Sequence, residues 1–214
     1  MNERRHPVPR KAADCYSIAD LRALARRRLP RAVFDFYDGG AEDERTLAGN
    51  LDAYGRWRLL PRVLVNVAHA TTDCELLGAP AGLPAVIAPT GAAGFGHRGA
   101  DLALARAAAQ RGIPYALSSS ATTTIEAIAD QAPGRHWFQA YVLRNQPFFW
   151  QLVERARAAD YEALVITVDL PVGGKRERDF RNHFSIPFRF SMRNIATSRR
   201  ARRGPWTCCC AACR

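Results

Sequence analysis

No apolar run in this 214-residue chain approaches the roughly 18 residues needed to span a bilayer. The opening stretch, "MNERRHPVPRKAAD", is charged and lacks the apolar segment of a secretory signal. A cytoplasmic globular protein is therefore expected. Cysteine is nearly absent until the end: only Cys15 and Cys74 precede residue 208, which excludes a disulfide framework over that span. Cys210 and Cys213 form a CxxC, but no second pair or suitably spaced histidine accompanies them, so no metal or redox role is expected there. Two glycine patterns also fail. "GAAGFG" (91–96) is not the dinucleotide fingerprint, and "GGKR" (173–176) is not a P-loop, because an arginine follows the lysine.

Acid is in short supply, with a formal net charge of +11. Residues 193–214 hold six arginines and no acid, so the last stretch carries more than half of that excess. A second cluster, "RALARRRLPR" (22–31), falls on a predicted helix whose Leu21, Leu24 and Ala25 face inward, and it reads as a solvated face. No nucleic-acid partner is expected. The rival, a basic nucleic-acid-binding protein using the arginine tail, requires binding that weakens steeply with salt.

What is present is a core and a rhythm. Hydrophobic residues make up 48% of the chain, ample for a domain core. From residue 84 onward, apolar runs alternate with helical segments. Strands are expected at 84–91, 114–120, 136–142 and 162–170, with helices at 100–112, 123–134 and 146–161. Upstream, 17–57 reads as helix broken near Pro30 and Gly39-Gly40, and 62–78 alternates like a hairpin. Each of the four strands ends in small or polar groups: "PTG" (89–91), "SSS" (118–120), "QAY" (139–141) and "TVD" (167–169). Polar groups gathered at the carboxyl ends of parallel strands build the active site of a (βα)8 barrel. A doubly wound sheet also binds ligands at that edge, so periodicity leaves both open.

Four motifs in register carry more. "LPRAVFDFYDGGAEDERTLAGN" (29–50), "IAPTGAAG" (87–94), "WFQAYV" (137–142) and "ITVDLPVGGKRERDFRN" (166–182) resemble the FMN-dependent α-hydroxy-acid dehydrogenases and oxidases. That family includes glycolate oxidase, L-lactate dehydrogenase and mandelate dehydrogenase. The resemblance runs from about residue 16 to about 192 and implies a (βα)8 TIM barrel. Only about the first four βα units and the amino-terminal helical segment are expected here. It also implies FMN as cofactor and oxidation of a small (S)-2-hydroxy acid to the 2-oxo acid. Carried over by motif, Pro89, Thr90 and Gly91 would line the flavin with backbone groups, while Ser118, Gln139 and Thr167 would hydrogen-bond its polar edge. Neutral donors and acceptors suit that task because they add no charge beside the ring. Tyr141 and Arg176 match substrate-contacting positions, a guanidinium fork being suited to a carboxylate. Asp169 would support Thr167. Phe36 stands where the family usually has a substrate-binding tyrosine, so a hydroxyl is lost. His69, His97, His136 and His183 match no catalytic position, and the family's base histidine has no counterpart in the chain.

The resemblance fades near Asn194, where composition shifts toward Arg and Cys. Read one base back, each Cys-Cys junction encodes Leu and the Trp206-Thr207 junction encodes Asp, a sequence of the helix-start kind. The chain is thus expected to comprise a flexible basic start (1–15), a shortened hydroxy-acid dehydrogenase domain (16–192) and an out-of-frame tail (193–214). It should itself be inactive and prone to self-association through unpaired sheet edges. A non-catalytic half-barrel interaction fragment is the alternative. Membrane association is left open, cytoplasmic or peripheral to the inner membrane face.

Overall fold

The computed structural model describes residues 9–169 and 172–185. The expected tail, 193–214, lies outside the described residues. The chain divides into two compact units, one formed by residues up to Leu59 with those from Gly174 onward, the other by Leu60–Gly173.

In the first unit, α1 (Ile18–Arg28) starts at a reciprocal cap: Ser17 Oγ accepts from Asp20 N at 3.1 Å, and Asp20 Oδ2 accepts from Ser17 N at 3.1 Å. Pro30 then separates it from α2 (Arg31–Asp38), as expected of a residue suited to helix starts but not interiors. Helix α2 buries Ala32, Val33 and Phe34 and stops at Gly39; α3 (Arg45–Ala53) follows.

The second unit opens with an antiparallel hairpin, β1 (Cys74–Leu76) and β2 (Ala79–Ala81). This corrects the hairpin expected at 62–78. Residues 62–73 form no strand, and the reversal occurs at Leu77 and Gly78, which both have positive φ (49° and 76°), the geometry of a tight hairpin turn. The expected strand 84–91 is likewise reduced to one bridge, Ile87 to Tyr115. Two causes are visible. Ala85 N turns back to Leu83 O at 2.8 Å, and Pro89 has no N–H to donate to a ladder.

The remaining βα order is as the sequence implies. Helix α4 (Ala100–Gln110) ends before Gly112, whose φ of +62° is adopted most readily by a residue without a Cβ. Then come β3 (Tyr115–Ser118), α5 (Ile125–Gln131), β4 (His136–Tyr141), α6 (Gln146–Ala158) and β5 (Ala163–Thr167). The three strands pair in parallel in the order β3-β4-β5. Tyr115, Leu117, Phe138 and Ala140 pack on one face beneath residues of the helices, including Ala105, Ile128 and Phe149. No closed barrel is formed among the described residues.

Below the sheet, Arg135 fixes the hairpin. Its guanidinium donates to Leu76 O (2.8 Å), Ala79 O (3.2 Å) and Pro80 O (3.0 Å) while pairing with Glu162. Arg135 and Glu162 immediately precede β4 and β5, so the hairpin occupies the amino end of the sheet. The carboxyl end carries the polar residues.

Candidate flavin-edge site

Strand register aligns the polar residues before any side-chain bond forms. Ser118 pairs with Gln139, Gln139 with Val165, and Tyr141 with Thr167. Alternation along β4 puts Gln139 and Tyr141 on the face away from Phe138 and Ala140. On that face the side chains make a continuous row. Ser118 Oγ donates to Gln139 Oε1 at 3.0 Å, and Gln139 Nε2 donates to Thr167 Oγ1 at 2.7 Å. Ser118 Oγ also accepts from Ser120 N at 3.1 Å, which pins the loop after β3. Ser118 and Gln139 are buried. The row leaves one Gln139 amide hydrogen and the Thr167 hydroxyl hydrogen for an external acceptor. It is neutral throughout, and no metal-binding group of His, Cys, Asp or Glu exists among the described residues.

The other expected residues take nearby or separate places. Gly91 lies against the row: a Cβ there would come within 3.3 Å of Ser120 Cβ and 3.9 Å of Ser118 Oγ. Pro89 is half-buried and Thr90 exposed. Tyr141 ends β4 with its residue 40% exposed, so its ring is open to a ligand. Asp169, just beyond β5, is exposed.

Arg176 and Phe36 belong to the other unit and meet there. The Arg176 guanidinium lies 5.2 Å from the Phe36 ring centroid, a cation–π geometry. It also donates to the carbonyls of Phe36 and Gly39, and its Nε lies 3.1 Å from Asp179 Oδ2. Asp179 is raised above the usual carboxylate range by burial, against the pull of Arg176. Phe36 therefore takes part in orienting Arg176, a pairing that motif matching did not anticipate. The short helix α7 (Glu177–Arg181) holds this arrangement through Arg178, which contacts Asp38 at 3.0 Å and also Glu44. Arg22, ahead of Arg178, keeps the Asp38 carboxyl below its ordinary range.

Sequence reasoning missed Asp101, the buried polar centre of the second unit. Fully enclosed in the first turn of α4, it accepts from Thr122 N (3.0 Å), Thr122 Oγ1 (2.6 Å), Thr123 Oγ1 (3.3 Å) and Tyr115 OH (3.4 Å). Burial, then the adjacent carboxylate, pushes the Tyr115 phenol upward. Thr122 Oγ1 in turn accepts from Gly94 N at 3.1 Å, and a Cβ on Gly94 would lie 2.8 Å from Thr122 Cβ. One carboxylate thus ties together the loops that carry Gly91 and Ser118–Ser120. Its signal in the sequence was an acid in the first turn of an alanine-rich helix, which by itself reads as a favourable dipole contact.

Of the histidines, His69, His97 and His183 are exposed. His136 is buried at the amino end of β4, far along the strand from the row. Its Nε2 lies 2.8 Å from Ala132 O, which can only accept, so the proton sits on Nε2. Nδ1 is buried with no partner among the described residues.

The profile of the family described as FMN-dependent dehydrogenase matches residues 25–209. The chain is 40% identical over 180 residues to (S)-mandelate dehydrogenase of Pseudomonas putida, covering 84% of this chain and 46% of that protein. It is 42% identical over 187 residues to a putative L-lactate dehydrogenase of Mycobacterium tuberculosis, covering 87% of this chain and 45% of that one. With the glycolate oxidase of Spinacia oleracea the identity is 38% over 179 residues, covering 84% and 48%. The chain thus spans about half the length of the curated relatives it matches. Among solved structures, the crystal structure of the monotopic membrane protein (S)-mandelate dehydrogenase aligns with a TM-score of 0.82 at 38% identity, over 88% of this chain and 51% of that one.

Proposed function

This chain belongs to the FMN-dependent dehydrogenase family, whose cofactor is FMN, and on that premise we propose that its second unit carries the flavin-edge residues of a 2-hydroxy-acid-oxidising enzyme and, separately, that Arg176 of the first unit is a substrate-carboxylate residue. The observation that carries this reading is the Ser118–Gln139–Thr167 row. It is neutral and hydrogen-bonded across three adjacent strands, and it offers donors at the carboxyl edge. Those properties fit the polar rim of an isoalloxazine ring, with Gly91 allowing close approach and Pro89 and Thr90 beside it. When bound, the flavin provides the acceptor for the two electrons released as the hydroxyl-bearing carbon becomes a carbonyl.

The protein's own contributions are binding and orientation. Tyr141, at the mouth of the row, would contact the substrate's hydroxyl or carboxylate end. Arg176 carries a fixed cation suited to the carboxylate, and its hold on the Phe36 and Gly39 carbonyls lowers the entropy cost of presenting it. The substrate class proposed is an (S)-2-hydroxy acid of lactate, mandelate or glycolate type. Two protons must also leave, one from the hydroxyl to a base. No residue of this chain matches the family's base histidine, so a polypeptide of these 214 residues alone should not turn over.

The proposed architecture is a partial (βα)8 barrel over 16–192, with 193–214 an out-of-frame reading. Sequencing the gene across codons 190–214 tests the latter. Location is proposed as cytoplasmic, with attachment to the inner membrane face as the alternative. Among the described residues no helix is long and apolar enough to cross a membrane. Self-association is proposed through the edge of β5, which pairs with no further strand among the described residues. The experiment that tests the flavin reading is FMN titration followed by fluorescence quenching, comparing the wild-type sequence with Gln139→Leu.

A further inference from the structure

The backbone just after Gly91 is held in an unfavourable shape. Ala92 has φ of 57° and ψ of 24°, the left-handed region that a residue with a Cβ rarely adopts, and it is buried. It leads into a single 3-10 turn, Ala93–Phe95. Such a conformation persists where its surroundings over-determine it, and it collects at ligand clamps. Two tethers from the loop after β3 hold this one. Ala92 N donates to Ser120 O at 2.8 Å, and Gly94 N donates to Thr122 Oγ1 at 3.1 Å. Gly94 also packs so closely on Thr122 that a Cβ would lie 2.8 Å from Thr122 Cβ.

Thr122 is exposed, so water competes for its hydroxyl, and the buried carboxylate of Asp101 is what aims it. Oγ1 commits its one hydrogen to Asp101 Oδ2 at 2.6 Å, and Thr122 N donates to the same oxygen at 3.0 Å. A hydroxyl so fixed turns its lone pairs elsewhere, and one of them meets Gly94 N. Donation to a carboxylate also polarises the hydroxyl and strengthens the bond it accepts. The second tether ends on Ser120, whose N–H donates to Ser118 Oγ at 3.1 Å, so one loop joins the 91–94 segment to the Ser118–Gln139–Thr167 row.

From this geometry, and resting on the flavin reading above, we propose that Thr122 is a positioning residue for flavin binding: its hydroxyl, aimed by Asp101, keeps the 91–94 backbone in the strained turn that sets Gly91 against the row. The effect is preorganisation. Without the tether the segment relaxes, and part of the binding free energy then goes into restoring the turn.

The test uses the full 214-residue chain and compares Thr122→Val, which keeps the shape and loses the hydroxyl, with Thr122→Ser, which keeps the hydroxyl. Thr122→Ala should behave as the valine. Thr124→Ala is the control: it removes the N-cap of α5, whose side chain accepts from Ala127 N at 3.2 Å, a bond that takes no part in the 91–94 tether. Each protein is titrated with FMN by fluorescence quenching where circular dichroism shows it folded, and amide hydrogen exchange of Gly94 is read without flavin. Thr122→Val should weaken FMN binding at least about tenfold and speed Gly94 exchange by a similar factor. Thr122→Ser should stay within about threefold of wild type. Thr124→Ala should lower the urea midpoint and leave FMN affinity unchanged. Wild-type affinity in Thr122→Val, equal losses in the valine and serine variants, or a like loss in Thr124→Ala would each overturn the proposal. Gln139→Leu separates the two readings. A loss there with none in Thr122→Val overturns this inference alone, whereas FMN that binds none of the proteins, or all of them alike, overturns the flavin reading with it.

Discussion

Replacing Asp101 should damage the second unit more than any change at the candidate site itself. Its Oδ2 accepts from Thr122 N, Thr122 Oγ1 and Thr123 Oγ1, and its Oδ1 from Tyr115 OH. The 2.6 Å contact to Thr122 Oγ1 is the short, strong member of the set. Hydrogen bonds to a charged acceptor contribute roughly 1.5–3 kcal/mol each, and stranded buried donors add a desolvation cost. These effects are not additive, and Thr122 can recover water because its residue is exposed. Asp101→Ala should therefore cost about 3–5 kcal/mol, the range for breaking a buried charged network. Asp101→Asn can keep its oxygen toward Thr122 and turn its amide toward Tyr115 OH, which also accepts, so it should cost only about 1–2 kcal/mol. Urea unfolding followed by circular dichroism separates the two. Hydrogen exchange should show residues 118–124 opening first in the alanine variant. If Asp101→Ala unfolds within about 1 kcal/mol of wild type, the carboxylate is not the tie described, and the loops are held by packing.

Four further outcomes follow from particular contacts. Gln139→Leu removes the bonds to Ser118 and Thr167 and leaves Ser118 Oγ–H without its acceptor; urea titration should show a loss of about 2–3 kcal/mol, and FMN quenching should weaken. His136 is held below its ordinary pKa, chiefly by burial, so the unfolded chain binds the proton more readily. Stability contributed by keeping it neutral is present above the unfolded value of about 6.5 and is lost as pH falls toward the lower folded value, and His136→Gln should flatten that part of a pH–stability curve. In a single-chain chimera that continues this chain with the remaining part of Pseudomonas putida (S)-mandelate dehydrogenase, Arg176→Met should cut kcat/KM for a 2-hydroxy acid at least about a hundredfold through loss of a charge-assisted partner. Phe36→Tyr, which restores a hydroxyl beside Arg176, should lower KM most for small substrates. An unchanged KM with lactate or glycolate would remove Phe36 from the substrate site.

How far the sequence revealed this arrangement depends on how local the cause was. The α4–β3–α5–β4–α6–β5 order was legible because the apolar period switches cleanly and Gly112 marks a helix end. Ser118, Gln139 and Thr167 came from motif matching, and the structure brings all three into hydrogen-bond contact through strand register, a local property. The hairpin was misplaced because alternation in "RVLVNV" outweighed the turn chemistry at Leu77-Gly78, and those apolar residues lie exposed. The strand at 84–91 was overestimated because its prolines cost ladder donors. Asp101 and Arg178 were passed over for a different reason. Each acts through partners 14 to 22 residues away for Asp101, and 134 or 140 away for Arg178, and no periodicity encodes such pairings.

The measurement that bears most directly on the flavin-edge assignment is FMN affinity in a single-chain chimera that continues this chain with the remaining part of the mandelate dehydrogenase, read by equilibrium dialysis. The added part is held constant, so any change arises from this chain's residues. The chimera should retain FMN. Gln139→Leu and Thr167→Val should each weaken binding at least about tenfold, as the loss of a hydrogen bond in an enclosed site does, while the exposed control Arg157→Glu should not. Equal FMN affinity across all four proteins, each folded by circular dichroism, would contradict the assignment.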